Sequence, residues 1–301
     1  MARGRKGRPV HGWLVLDKPL GLSSTQALAK ARRLLQAAKA GHGGTLDPLA
    51  TGVLPIAFGE ATKTIPFVMD SMKSYRFTVA WGEERSTDDL EGDIVETSDR
   101  RPTMARIRAV MPDFIGAITQ TPPRYSAIRI GGQRAYDLAR QGMEVAPKPR
   151  QVVIHRFDLL GEDHDRTVCA SNFEIDCGKG TYVRAIARDL GRKLGVFGHV
   201  TALRRCRVGP FDLRGAISLD KLAAMVHSPP PNSILLPVET ALDDIPALAV
   251  TGGEAKLLRL GQMVRAPSRK SGTVRVMTET GPVALADLQD GELRPFRVFN
   301  L

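Results

Sequence analysis

Gly41-His-Gly-Gly-Thr-Leu-Asp-Pro-Leu-Ala-Thr-Gly52, running into the apolar segment Val53–Phe58, is the most informative stretch of the chain. Glycines let a backbone approach a ligand closely or take a positive φ. Pro48 biases Asp47 away from the helical region. Such a loop can hold one carboxylate out towards a substrate, although Asp-Pro is equally a common way to start a turn. His42 has the chemistry to stack on a base or contact a phosphate; an exposed loop histidine is the plain alternative. The apolar segment reads as the strand that anchors the loop.

Working outward, Trp13–Leu16 reads as a strand ending in the turn Asp17-Lys-Pro19. Ser23 and Ser24 can cap a helix over Thr25–Lys39, with Ala27, Ala31, Leu34, Leu35 and Ala38 on one face. Downstream, Tyr75–Trp81, Tyr125–Ile130, Val152–Leu160, Val168–Ile175 and His199–Val208 read as strands. Met104–Ile115, Thr181–Leu194 (closed by Gly195) and Ser218–Val226 read as helices, with a turn at Gly131-Gly132 and a further helix from Ala135 to Arg140. These elements mix without a regular βαβ alternation. They imply an α+β fold on a mixed, largely antiparallel sheet. His227–Ser233 has the composition of a linker, and short segments after Pro246 suit a small β-rich unit over residues 246–301.

Composition limits the function. The 301 residues carry 43 Lys and Arg against 32 Asp and Glu, a net charge of +11. That sign favours polyanions, nucleic acid first. Residues 1–40 hold nine basic residues against Asp17, and residues 181–214 hold eight against Asp189 and Asp212. Residues 83–99 instead hold eight acids against Arg85, a run that ordinarily reads as a solvated face. No apolar run approaches the roughly 18 residues of a membrane span, and the basic start lacks the apolar core of a secretory signal. The three cysteines, Cys169, Cys177 and Cys206, have no C-x-x-C spacing, which argues against a disulfide framework or zinc site and fits a reducing cytoplasm. Phosphate-loop, dinucleotide-loop, nucleophile-elbow and H-E-x-x-H patterns are all missing. The chemistry is therefore expected to need no cofactor and no metal. By residue type alone, Arg184 could clamp a carboxylate, whereas Tyr75 on a strand is core by default and Lys18 and Lys63 are surface lysines by default.

Gly41–Pro55, continuing to Gly59-Glu-Ala-Thr-Lys63, closely resembles the signature of the TruB family of tRNA pseudouridine synthases. Asp17–Ser24, Lys73-Ser-Tyr-Arg76, Thr121–Ala127 through Arg140-Gln-Gly142, Gly180-Thr-Tyr-Val-Arg184 and Leu203-Arg-Arg205 agree in the same order, over about residues 12–215. Residues 246–301 look like a PUA domain, an RNA-binding β-barrel. The resemblance implies a catalytic domain over 11–240 with an insert at about 120–150, preceded by a flexible basic arm over 1–10. It implies conversion of uridine 55 in the tRNA T loop to pseudouridine by a stand-alone, monomeric enzyme.

By the same resemblance, Asp47 matches the nucleophile, Tyr75 the tyrosine stacked under the uracil, and Arg184 the arginine paired with the aspartate. Leu203 matches a wall of the uracil pocket, and His42 the residue that fills the space left by the flipped base. Lys18, Lys63 and Tyr182 match residues near the pocket. The reaction breaks the N1–C1′ bond, turns the base and rejoins it through C5, so one carboxylate nucleophile suffices and no redox partner is required. The target base must leave its stack, at a cost of a few kcal/mol. Three other readings are an RNA-folding chaperone, a guide-dependent synthase subunit, and a glycoside hydrolase. The last wants a second acid, and the motifs supply none near Asp47.

Overall fold

Alternating and continuous apolar runs become the strands of one large sheet. The computed structural model describes residues 7–126, 129–130, 133–134, 143, 147–161, 166–226, 234–266 and 271–301. The turn expected at Gly131-Gly132, the helix from Ala135 to Arg140, the linker His227–Ser233 and about half of the insert lie outside them. The strands are β1 (Gly12–Lys18), β2 (Ala40–His42), β3 (Ala50–Phe58), β4 (Lys73–Trp81) and β5 (Gly116–Gln120), then β6 (Arg150–Leu160), β7 (Ala170–Cys177), β8 (Gly198–Val208) and β9 (Phe211–Asp212). They are ordered β1-β3-β8-β4-β7-β6-β5, with β2 on β3 and β9 on β8. Among these pairings only β3–β8 is parallel. The fold is thus α+β on a mixed, largely antiparallel sheet, as the sequence implies.

Helix α1 (Ser24–Leu34) starts at a capping box between Ser23 and Gln26. It stops short of the expected Lys39. Gln36 takes a left-handed φ of 50°, and Arg32 reaches forward to the carbonyls of Ala37 and Ala38, both at 3.0 Å. Helix α2 covers Ile65–Asp70. Helix α3 (Met104–Val110) passes into a 3₁₀ turn over Met111–Phe114, where Pro112 removes an amide donor, so the single expected helix is two pieces. Helix α4 (Val183–Leu194) ends on Gly195 in the left-handed conformation. Helix α5 (Leu219–Met225) is capped by Ser218. Within the strand expected over Tyr125–Ile130, Arg129–Ile130 is strand and Tyr125 and Ser126 form a bend, while residues 127–128 lie outside the described residues.

Two cores flank the site. Phe77, Trp81, Phe157 and Phe173 pack with Ile186 and Leu190 of α4. Leu14, Leu16, Leu54 and Ile56 pack with Ala27 and Ala31 of α1. Tyr75 and Leu203 touch both clusters and so stand at the seam between them.

The C-terminal unit is β-rich, with strands β10 (Ala247–Ala249), β11 (Val264–Arg265), β12 (Gly272–Thr278), β13 (Gly281–Gln289) and β14 (Glu292–Val298) in the order β10-β12-β13-β14-β11. The segment Glu254–Leu260 is mostly helical, α6 (Gly252–Arg259), behind a Thr251–Glu254 capping box. This unit is joined firmly to the rest: Leu285 and the fully buried Phe299 share a core with Trp13 and Phe211. Residues 7–10 do not behave as a free arm. The Arg8 amide donates to the Gln36 carbonyl at 2.7 Å, its carbonyl accepts from Ala38 at 3.0 Å, and Val10 is buried. Among the described residues no helix is long and apolar enough to cross a membrane.

Candidate active site

The parallel pairing of β3 with β8 sets Ala50 opposite Leu203 and Gly52 opposite Arg205. It thereby brings the end of the Gly41–Gly52 loop beside a strand some 150 residues further along the chain. The loop is then held from three sides. Ser24, at the buried start of α1, exchanges two hydrogen bonds with the Leu46 backbone, at 2.7 and 2.9 Å. Lys18 donates to the carbonyls of Leu22 (2.7 Å), Pro19 (2.9 Å) and Pro48 (3.5 Å). Arg205 donates to the carbonyls of Gly44 and Thr45. Asp47 does start a turn, its carbonyl accepting from the Ala50 amide at 3.0 Å. The same turn leaves its carboxylate 39% exposed.

That carboxylate lies 3.0 Å from Nε of Arg184, whose side chain is only 6% exposed. The N–H is not aligned on the oxygen, so the contact is an ion pair rather than a hydrogen bond. The Arg184 fork is otherwise occupied: Nη1 donates to the Thr87 carbonyl (2.6 Å) and Nη2 to the Tyr125 carbonyl (2.9 Å). Nη1 also lies 3.4 Å from the buried Asp89. Burial opposes the Arg184 charge, but Asp47, Asp89 and Asp88 more than offset this and raise its pKa. Asp47, Tyr75, Tyr182, Arg184, Leu203 and Arg205 line one open cavity of about 290 Å³. Burial pushes the Tyr75 phenol up, with the neighbouring Arg205 cation acting against it. Arg150 stacks 4.9 Å over the Tyr182 ring, and Gln120 fixes the Tyr182 backbone with bonds of 2.8 and 3.1 Å.

A carboxylate on a cation, an aromatic floor and an aliphatic wall suit a planar ring substrate attacked by an oxygen nucleophile. The family profile described as TruB family pseudouridylate synthase (N terminal domain) matches residues 32–183. The chain belongs to the TruB family of pseudouridylate synthases. These enzymes are isomerases. A second profile, the tRNA pseudouridylate synthase B C-terminal domain, matches residues 184–243. A tRNA pseudouridine synthase B of Bradyrhizobium diazoefficiens is 57% identical over 99% of this chain and 88% of its own length. One from Caulobacter sp. is 50% identical over the whole of both chains. An H/ACA ribonucleoprotein bound to a substrate RNA containing 2'-deoxyuridine aligns with a TM-score of 0.73 at 22% identity, covering 100% of this chain and 92% of that one. At that identity the likeness is one of fold.

The TruB-type motif residues are not all brought together. Asp47, Tyr75, Tyr182, Arg184 and Leu203 share the cavity. Lys18 is fully buried beneath the loop rather than on the surface, and burial lowers its ammonium to about 8, with the Asp47 charge acting against this. His42 lies on β2 opposite Ile56 and is not among the described cavity-lining residues. Lys63 is not among the residues lining this cavity. It donates to Glu60 (2.6 Å) and to the Val298 carbonyl (2.7 Å), at the joint with the C-terminal unit. A second carboxylate, absent from the motif reading, does sit near Asp47: Asp89 shares its guanidinium. Its oxygens are taken by the Thr87 hydroxyl, the Glu91 amide and Arg184, so it serves as an acceptor.

The acidic run at 83–99 is thus partly internal. Asp88 and Asp89 are both 5% exposed, and Asp88 pairs with Arg188 at 3.0 Å. Burial raises Asp88 from 3.8 to about 6, despite Arg188. An acid with a raised folded-state pKa favours folding below its unfolded value, and that contribution is lost as pH rises through the folded value. The unfolding free energy of the parent, relative to Asp88→Asn, should therefore fall by about 2 kcal/mol between about pH 4.5 and pH 7.5. Urea unfolding at the two pH values measures this. An unchanged difference would mean that Arg188 fully offsets the burial.

Proposed function

We propose that this pseudouridylate synthase acts on tRNA and isomerises uridine 55 of the T loop. The observation that carries the reading is the Asp47–Arg184 ion pair at the mouth of a cavity walled by Tyr75 and Leu203. The relatives of 48–57% identity that bear the name tRNA pseudouridine synthase B support tRNA as the substrate. Asp47 is the nucleophile. Arg184 orients it and keeps its charge in place. The flipped uracil lies on Tyr75 with Leu203 against its other side. The Asp47 carboxylate bonds to the nucleotide and the N1–C1′ bond breaks, its electron pair staying on the uracil; the base turns, C5 bonds to C1′, the bond to Asp47 breaks again, the C5 proton leaves to solvent and N1 takes up a proton. Basic residues grip phosphates without reading sequence, so the T arm is recognised by shape and by a few unstacked bases. The β-rich unit from residue 246 is a PUA-like RNA-binding module. The enzyme works alone, in the cytoplasm, without cofactor or metal.

The test is tritium release from an unmodified T stem-loop labelled at C5 of uridine. One equivalent should be released per RNA with no guide RNA or other protein added. Replacing the target uridine by cytidine should stop release. Release only after a guide or partner protein is added would overturn the stand-alone reading. Release that is indifferent to position 55 would overturn the site assignment.

A further inference from the structure

Arg205 enters none of the steps above, yet it is 2% exposed and lines the cavity. Its Nε donates to the Val53 carbonyl at 2.8 Å, Nη1 to Thr45 at 3.3 Å and Nη2 to Gly44 at 3.1 Å. Among the described residues no carboxylate pairs with it; the ion pairs of this region run through Arg184, Arg188 and Arg204. A buried guanidinium satisfied only by neutral groups, three carbonyls and the Tyr75 hydroxyl, is a costly arrangement. Its gain must lie in what the carbonyls carry.

The strand registers say what that is. Arg205 stands opposite Gly52 of β3 on one side and opposite Tyr75 of β4 on the other. At Gly52 the strands touch: φ is +100°, and a Cβ there would lie 2.2 Å from the Arg205 carbonyl. The register of β8 shifts just beyond, between Arg205 and Arg207. Gly44, at φ +118°, takes a backbone conformation that side chains rarely adopt, and this turns its carbonyl onto the guanidinium. One side chain therefore ties the loop before Asp47 and the strand after it to the strand that bears Tyr75.

We propose that Arg205 is a positioning residue for the isomerisation, its fork on Gly44, Thr45 and Val53 setting the Asp47 carboxylate against the face of Tyr75. The proposal rests on the roles given above to Asp47 and Tyr75. A lysine would keep the charge but not the planar reach to three carbonyls.

The test compares the full chain with its Arg205→Lys and Arg205→Met variants, using Asp47→Asn as reference. Single-turnover tritium release at saturating protein is measured beside RNA affinity and thermal midpoint. Misplacing a reacting group by an ångström costs on the order of 10²-fold. Arg205→Lys should lose about that much in rate while its RNA dissociation constant stays within about threefold of the parent. Arg205→Met should be at least as slow; should it fail to fold, the lysine variant decides alone. A lysine variant at parental rate overturns the proposal. So does one whose rate falls only in step with affinity and midpoint, which would mark a scaffold role. Tritium release by Asp47→Asn would instead overturn the underlying assignment, whatever Arg205 does.

Discussion

Asp47→Asn should lower tritium release by at least about four orders of magnitude, the scale seen when a nucleophile is removed from an otherwise intact site. The amide is the same size and can still lie beside Arg184, but it carries no charge and is a poor nucleophile. The carboxylate is 39% exposed, so the fold depends little on its charge. The loop is pinned through backbone atoms by Ser24, Lys18 and Arg205 and should keep its shape. RNA affinity, set by phosphate contacts elsewhere, should change by less than about threefold. Labelled T-arm RNA under single-turnover conditions gives the rate, and filter binding gives the affinity. Residual release within about a hundredfold of the parent would take the nucleophile role from Asp47. Loss of binding together with rate would point to a damaged loop.

Arg184→Met should fail in two separable ways. The variant leaves Asp89, 5% exposed, without its cation, and breaking a buried pair from one side costs about 3–5 kcal/mol. That corresponds to a fall of roughly 10 °C in melting temperature for a chain of this size. It also removes the cation at 3.0 Å that orients Asp47, so release should fall by roughly a thousandfold. Adding Asp89→Asn removes the stranded charge. The double variant should regain most of the melting temperature and none of the rate. Calorimetry and the release assay together test this. Recovery of the rate with the stability would mean that Arg184 matters only to the fold.

Much of this was legible in the amino-acid sequence, and what was missed has definite physical reasons. The Gly41–Gly52 loop, its strand and the main-sheet strands flanking the site announce themselves through glycine, proline and apolar patterning, which are local signals. Asp88 and Asp89 read as part of a solvated acidic run because nothing local distinguishes them from Glu91 or Asp93. Their burial is decided by Arg184 and Arg188, about a hundred residues away. Lys18 and Lys63 look alike as lysines beside turns. One is folded under the Gly41–Gly52 loop and the other ties Glu60 to the C-terminal strand, a difference set wholly by tertiary contacts. Arg205 could have been singled out only by knowing that β8 lies between β3 and β4. At the basic start of the chain Arg8 forms a β-bridge with Ala37, and composition alone does not register such a bridge.

The parallel pairing within the main sheet, β3 against β8, has a consequence for synthesis of the chain. Its contacts close a loop of about 150 residues, as in the Val53–Arg205 bond, whose partners are 152 positions apart. Such closure carries a large entropic cost and delays folding. A ribosome adding about 5–20 residues per second emits Asp47 roughly 10–30 s before the strand that completes its cavity. During that interval the nascent polypeptide carries the Asp47 carboxylate without Leu203 and Arg205, the cavity-lining residues that β8 supplies. The cavity is complete only when β8 slots between its two neighbours.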